Sequence, residues 1–107
     1  MKPLPLNISP SVQAKRIAIL KALAHPSRLL MVEALAGEAL CVGELQQLAG
    51  GDLSTVSKHL AVLRQAGLVR YQRRGANVFY QLTAPCILKL FDCLETTREK
   101  TCQPRTP

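Results

Sequence analysis

The chain of 107 residues is short of aromatic rings, with two Tyr, two Phe and no Trp. Proteins that read single-stranded nucleic acid stack bases on exposed rings, and so few rings argue against that mode. Long apolar runs are missing too, since none approaches the ~18 residues that a membrane-spanning helix needs. The opening stretch MKPLPLNISP has one Lys and two early prolines but no continuous apolar segment. It therefore predicts no signal peptide, and the expected location is cytoplasmic. Acidic residues are scarce, seven against fourteen Lys and Arg, for a formal charge of +7. A small domain this basic points to a polyanionic partner, nucleic acid first, although a merely soluble basic protein would have the same composition. The four cysteines include no C-x-x-C pair, which excludes a zinc ribbon or a thioredoxin-type motif. In a reducing compartment they are expected to stay thiols and to act as ligands or redox groups rather than staples. Internal repeats and low-complexity segments are absent.

What is present concentrates between Asp52 and Leu82. Asp52 is a good N-cap, because its carboxylate can accept the unpaired N–H groups of a first helical turn. Leu53, Val56, Leu60 and Leu63 then recur as one apolar stripe. The opposite face carries Ser54, Thr55, Ser57, Lys58, His59 and Arg64, and Gly67 closes the helix. Strands are predicted over Leu68 to Arg73 and Val78 to Leu82, joined by a turn at Gly75-Ala76-Asn77. Arg70, Arg73 and Arg74 lie on or beside this hairpin. A helix faced with hydroxyls and cations, followed at once by a basic hairpin, suits duplex DNA: short side chains approach base edges while cations reach phosphates.

Upstream, a helix is predicted from Pro10 or Ser11 to Ala24, with two apolar stripes, Val12/Ile19/Leu23 and Ile17/Leu20/Ala24. Both need cover, one within the domain and one on a second copy. His25-Pro26 breaks it, and a second helix runs from Ser27 to Ala36 with Pro26 in the first helical position. A short third helix covers Cys41 to Leu48, and Gly50-Gly51 form the turn before Asp52. Downstream, Ala84-Pro85 restarts a helix that reaches about Lys100, with Ile87, Leu90, Phe91 and Leu94 as its apolar stripe. Residues 1–10 are expected to be a flexible arm, 11–100 one winged helix-turn-helix domain with dimerisation helices, and 101–107 a flexible tail. The fold class is mainly α (α+β), with helices 1–4, a two-stranded wing and a C-terminal dimerisation helix.

The stretches LAHPSRLLMVEAL, ALCVGELQQL, LSTVSKHLAVLRQAGLV and RRGANVFYQL resemble the ArsR/SmtB family of metal- and metalloid-responsive repressors over about residues 14–95. The resemblance implies a homodimer paired through its first and last helices, bound to double-stranded operator DNA and released by an inducer. Two departures stand out. Many members carry Asp where His25 stands, and a poorer cap would weaken that helix start by ~0.5–1 kcal/mol. Arsenic-sensing members have Cys-Val-Cys where this chain has Cys41-Val42-Gly43, so that thiol pair does not carry over whole.

The expected DNA-contacting residues are Ser54, Thr55, Ser57, Lys58, His59, Arg64, Arg70, Arg73 and Arg74. The alternative is an ordinary solvated face, with His59 partly buried against a neighbouring helix. The expected metal ligands are Cys41, Cys86 and Cys93, with Cys102 in the tail as a weaker candidate. Three thiolates suit a thiophilic inducer such as As(III), Sb(III) or Cu(I); otherwise these cysteines are small core residues. In one unbroken helix Cys86 and Cys93 would lie ~10.5 Å apart along the axis, too far to share an ion whose bonds to sulfur are about 2.3 Å. Either Cys86 precedes the first regular turn, or its partners come from elsewhere. The last helix has no His, which argues against a His/carboxylate zinc site. No organic cofactor is expected.

Three other readings compete. A thiol enzyme needs a base beside its nucleophile, and neither His25 nor His59 is placed for that in this fold. A winged helix can serve as a protein-interaction module, but a basic recognition face and a basic wing together favour DNA. A dithiol redox or sulfide sensor on the same fold would use disulfide or polysulfide chemistry in place of an ion.

Overall fold

The computed structural model describes residues 9–101, the side chains of 97–101 excepted. The expected flexible arm and tail, apart from their inner ends, lie outside the described residues, and so does Cys102. Five helices and three strands follow in the order α1 (Pro10–Leu23), α2 (Pro26–Ala34), β1 (Leu40–Cys41), α3 (Val42–Ala49), α4 (Leu53–Gln65), β2 (Val69–Arg74), β3 (Asn77–Leu82) and α5 (Ile87–Thr101). No described helix is long and apolar enough to cross a membrane.

Local chemistry sets the breaks. Pro10 and Pro26 open α1 and α2, where a missing N–H goes unnoticed. His25 caps α2: its Nδ1 accepts from the Ser27 N–H at 3.1 Å. Asp52 caps α4 through Oδ1, accepting from the Thr55 N–H at 2.7 Å. That bond, with help from the Lys58 charge, holds the Asp52 carboxyl below its ordinary range, so the cap weakens as pH falls through the carboxylate range. Gly67 takes a positive φ of 82° and lets its N–H and that of Leu68 return to the carbonyls of Arg64 and Leu63, closing α4.

The core is a single cluster. Met31, Val32, Leu45, Val56, Leu60 and Leu63 are fully buried, joined by Ala22, Leu23, Leu35, Leu40, Leu68, Val69 and Leu82. Each large side chain of this set removed from water contributes on the order of 1.5–3 kcal/mol. Leu53 stands apart. As the first residue of α4 it shares the stripe of Leu60, yet it is 51% exposed.

The sheet runs β1-β3-β2, antiparallel throughout. Leu40 pairs with Tyr80 and Cys41 with Phe79, so the two-stranded wing gains a third, two-residue strand alongside the middle of β3. Pairing of β2 with β3 extends from Val69↔Leu82 to Arg74↔Asn77, leaving a two-residue Gly75-Ala76 turn rather than a three-residue one. Only Gly75 of that pair has positive φ, at 62°, the pattern of a type II′ hairpin.

Candidate nucleic-acid interface and thiol positions

The turn between α3 and α4 sets them as a helix-turn-helix pair, with α4 as the second, outward helix. Its exposed residues include Ser54, Thr55, Ser57, Lys58 and Arg64, while His59 is half-buried. The apolar side (Val56, Leu60, Leu63) fixes which face turns outward, so the polar residues are displayed by the packing rather than by their own bonds.

Alternation along β2 divides the wing's cations. Arg70 and Arg74 lie on one face and Arg73 on the other, with Tyr71. Three of the expected cations rest on neighbouring side chains. Arg64 stacks over the Tyr71 ring at 5.2 Å, and Arg74 over Phe79 at 5.3 Å. With the Gln81 amide presenting its oxygen, Arg70 donates to it from Nη2 at 3.0 Å and from Nε at 2.7 Å. Among the described residues, Arg73 is the wing cation with no such support, and it sits next to the tip. Tyr71 and Tyr80 pack on each other at 5.7 Å, which makes them part of the hairpin rather than base-stacking platforms.

The structure adds a cluster that sequence reasoning missed. Arg28, in the first turn of α2, donates from Nε to the Ala22 carbonyl at 2.6 Å and from Nη2 to that of Lys21 at 3.4 Å. Its Nη1 meets His59 Nδ1 at 3.1 Å. The His25 and His59 rings lie 4.4 Å apart and tilted by 51°. No local signal joins residues 31 positions apart; only the packing of α4 across the α1–α2 junction brings them together.

The three described thiols do not form one cluster. Cys41 is the half-buried N-cap of α3, where its own N–H donates to Glu44 Oε1 at 3.0 Å, a bond that lowers the pKa of Glu44. Cys86 is exposed and falls in the turn just before α5, the first of the two arrangements open from sequence. Cys93 is exposed on α5. None of the three is buried, so none serves as core filling. Among the described residues, no three His, Cys, Asp or Glu are grouped to hold an ion. A second unfilled demand lies on the helices: Ile17 and Leu20 of α1, Leu30 of α2 and Leu94 of α5 are 42–57% exposed.

A family model described as a helix-turn-helix domain matches residues 15–72. The chain is 40% identical over 85 residues to a biofilm growth-associated repressor of Xylella fastidiosa, covering 77% of this chain and 75% of that protein. It is 41% identical over 80 residues to a transcriptional repressor SmtB homolog of Synechocystis, covering 74% of this chain and 61% of that one. Among solved structures, reduced HlyU from Vibrio cholerae matches with a TM-score of 0.70 at 34% identity, covering 78% of this chain and 92% of that chain.

Proposed function

The chain belongs to the ArsR/SmtB-type helix-turn-helix family, whose members are winged-helix transcriptional regulators and not enzymes, and we propose that it is a homodimeric repressor holding double-stranded operator DNA until an inducer engages its thiols. The observation that carries this reading is the outward face of α4 set beside a wing with three arginines. A dimer paired through α1 and α5 would cover Ile17, Leu20 and Leu94 and present two copies of α4 about one DNA turn apart. The expected base-reading residues are Ser54, Thr55, Ser57 and Lys58. Arg64, Arg70, Arg73 and Arg74 meet phosphate or the minor groove. His59, engaged with Arg28, has only its Nε2 edge left for DNA.

The inducer we infer is trivalent arsenic or antimony, taken by sulfurs of Cys41, Cys86 and Cys93. Since one chain does not gather these thiols, the donors would come from two protomers or from a rearranged α5. A dithiol redox or sulfide sensor is the second reading. It needs two sulfurs rather than three, and one similar structure is described as a reduced form.

Fluorescence anisotropy of the reduced protein on duplex DNA from upstream of its own gene, titrated with arsenite, tests the reading. Binding that arsenite reverses supports the metalloid assignment. Binding reversed only by thiol oxidation supports the second reading, and no binding removes the operator reading altogether. The triple variant Cys41→Ser, Cys86→Ser, Cys93→Ser is expected to bind DNA as the parent does and to ignore the inducer; a normal response would dismiss the thiol site. Arg73→Ala is expected to weaken binding to all sequences and to reduce the salt slope by about one. An unchanged slope would remove Arg73 from the interface.

A further inference from the structure

We infer that Arg28 is a positioning residue for the recognition helix, and that neutral His59 is the acceptor through which it holds α4, so that operator selectivity depends on protons. The inference rests on the operator-binding reading above.

Guanidinium is always charged and can only donate hydrogen bonds. Its approach to His59 Nδ1 at 3.1 Å therefore requires a lone pair on that nitrogen and places the ring proton on Nε2. The same guanidinium is fixed at its other end by the Ala22 and Lys21 carbonyls, in the last turn of α1, where a cation also meets the negative end of the helix dipole. One planar group thus ties the end of α1, the start of α2 and the middle of α4. It joins α4 to the body of the domain at the half-buried edge of the DNA-facing surface, beyond what the apolar stripe fixes.

The surroundings of His59 all oppose a second proton. Burial comes first, then repulsion between the His59 cation and His25 in the α1–α2 turn and between it and Arg28 of α2, and together they lower its pKa. The other elements packed on α4, namely α1, α3 and β2, add no charged group to these causes. Protonation at Nδ1 would remove the acceptor and set a cation against Arg28. An unfolded chain takes up that proton near the ordinary imidazole pKa of about 6.5, whereas the folded protein resists it. The stabilisation is therefore complete above that pH and lost as pH falls from it toward the lowered folded value. An extra cation also strengthens attraction to any DNA, so selectivity, the ratio of operator to random-duplex affinity, is the informative quantity.

The test is anisotropy at constant salt with the upstream duplex and a scrambled duplex of equal length, at pH 7.5 and 5.0. The parent's ratio is expected to fall at least fivefold, the lower end of typical site-to-site coupling. His59→Asn puts an acceptor where Nδ1 lies but cannot take a proton, so its ratio should not change with pH. A flat parent ratio, or an equal fall in His59→Asn, overturns the inference. A second measurement needs no DNA and keeps failure of the operator reading separate. Imidazole 15N shifts of the free protein should show the Nε2–H tautomer of His59, with titration moving to higher pH in Arg28→Gln. An Nδ1–H tautomer, or titration indifferent to Arg28→Gln, overturns it.

Discussion

Leu60→Ala is expected to destabilise the domain by about 2–5 kcal/mol, the range for removing a fully buried leucine from a packed core. Leu60 is wholly inaccessible, midway along α4 and among Val56, Leu63 and Leu45. Small domains hold only ~5–15 kcal/mol in total, and at this size the loss corresponds to a fall in Tm of about 10 °C or more. A thermal melt by circular dichroism at fixed protomer concentration reads it, since association would otherwise move the midpoint. Leu53→Ala is the control. It removes the same side chain seven residues earlier on the same stripe, and at 51% exposure it should change stability by no more than about 0.5 kcal/mol. Equal losses at the two positions would show that the start of α4 is buried, contrary to the structure.

The second large effect concerns salt. Each protomer exposes Lys58, Arg64, Arg70, Arg73 and Arg74 on the helix-wing surface, so a dimer can bring ten cations to DNA. If ~6–10 phosphates are neutralised, the association constant should fall about 10³–10⁵-fold between roughly 50 and 200 mM monovalent salt, with a log–log slope near −0.9 per phosphate. The measurement is a salt series on the upstream duplex. A slope shallower than about −2 would mean that the wing does not reach the backbone. Arg64, Arg70 and Arg74 are held by Tyr71, Gln81 and Phe79, which reduces the side-chain freedom lost on binding.

Much of this architecture was legible because its signals are local. The cap at Asp52, prolines at helix starts and glycines at the turns report on neighbours within four residues, and the apolar stripe of α4 selected Val56, Leu60 and Leu63 correctly. Periodicity did not separate Leu53 from Leu60, because it records direction around the axis and not distance from the core. Strand β1 was illegible: two residues give no alternation to read, and its pairing is set by β3 some forty positions later. Partial burial of His59 against a neighbouring helix was open from sequence, but its partner Arg28 escaped for the same reason, since it looks like an ordinary polar position on its own helix. For the thiols, spacing left two arrangements open, and the turn at Pro85 decided that Cys86 precedes α5.

The two-residue strand β1 also has a mechanical meaning. A hairpin of six paired positions is a beam of ~20 Å at about 3.3 Å per residue, and it is clamped at its middle, where β1 joins β3 at Phe79 and Tyr80. Cys41 is half of that clamp, directly opposite Phe79, whose ring lies beneath the Arg74 guanidinium near the free end. No loop intervenes to absorb a shift. Displacement of the Cys41 backbone is transmitted through the ladder to the middle of the beam, with only the Arg73↔Val78 and Arg74↔Asn77 pairs between it and the tip.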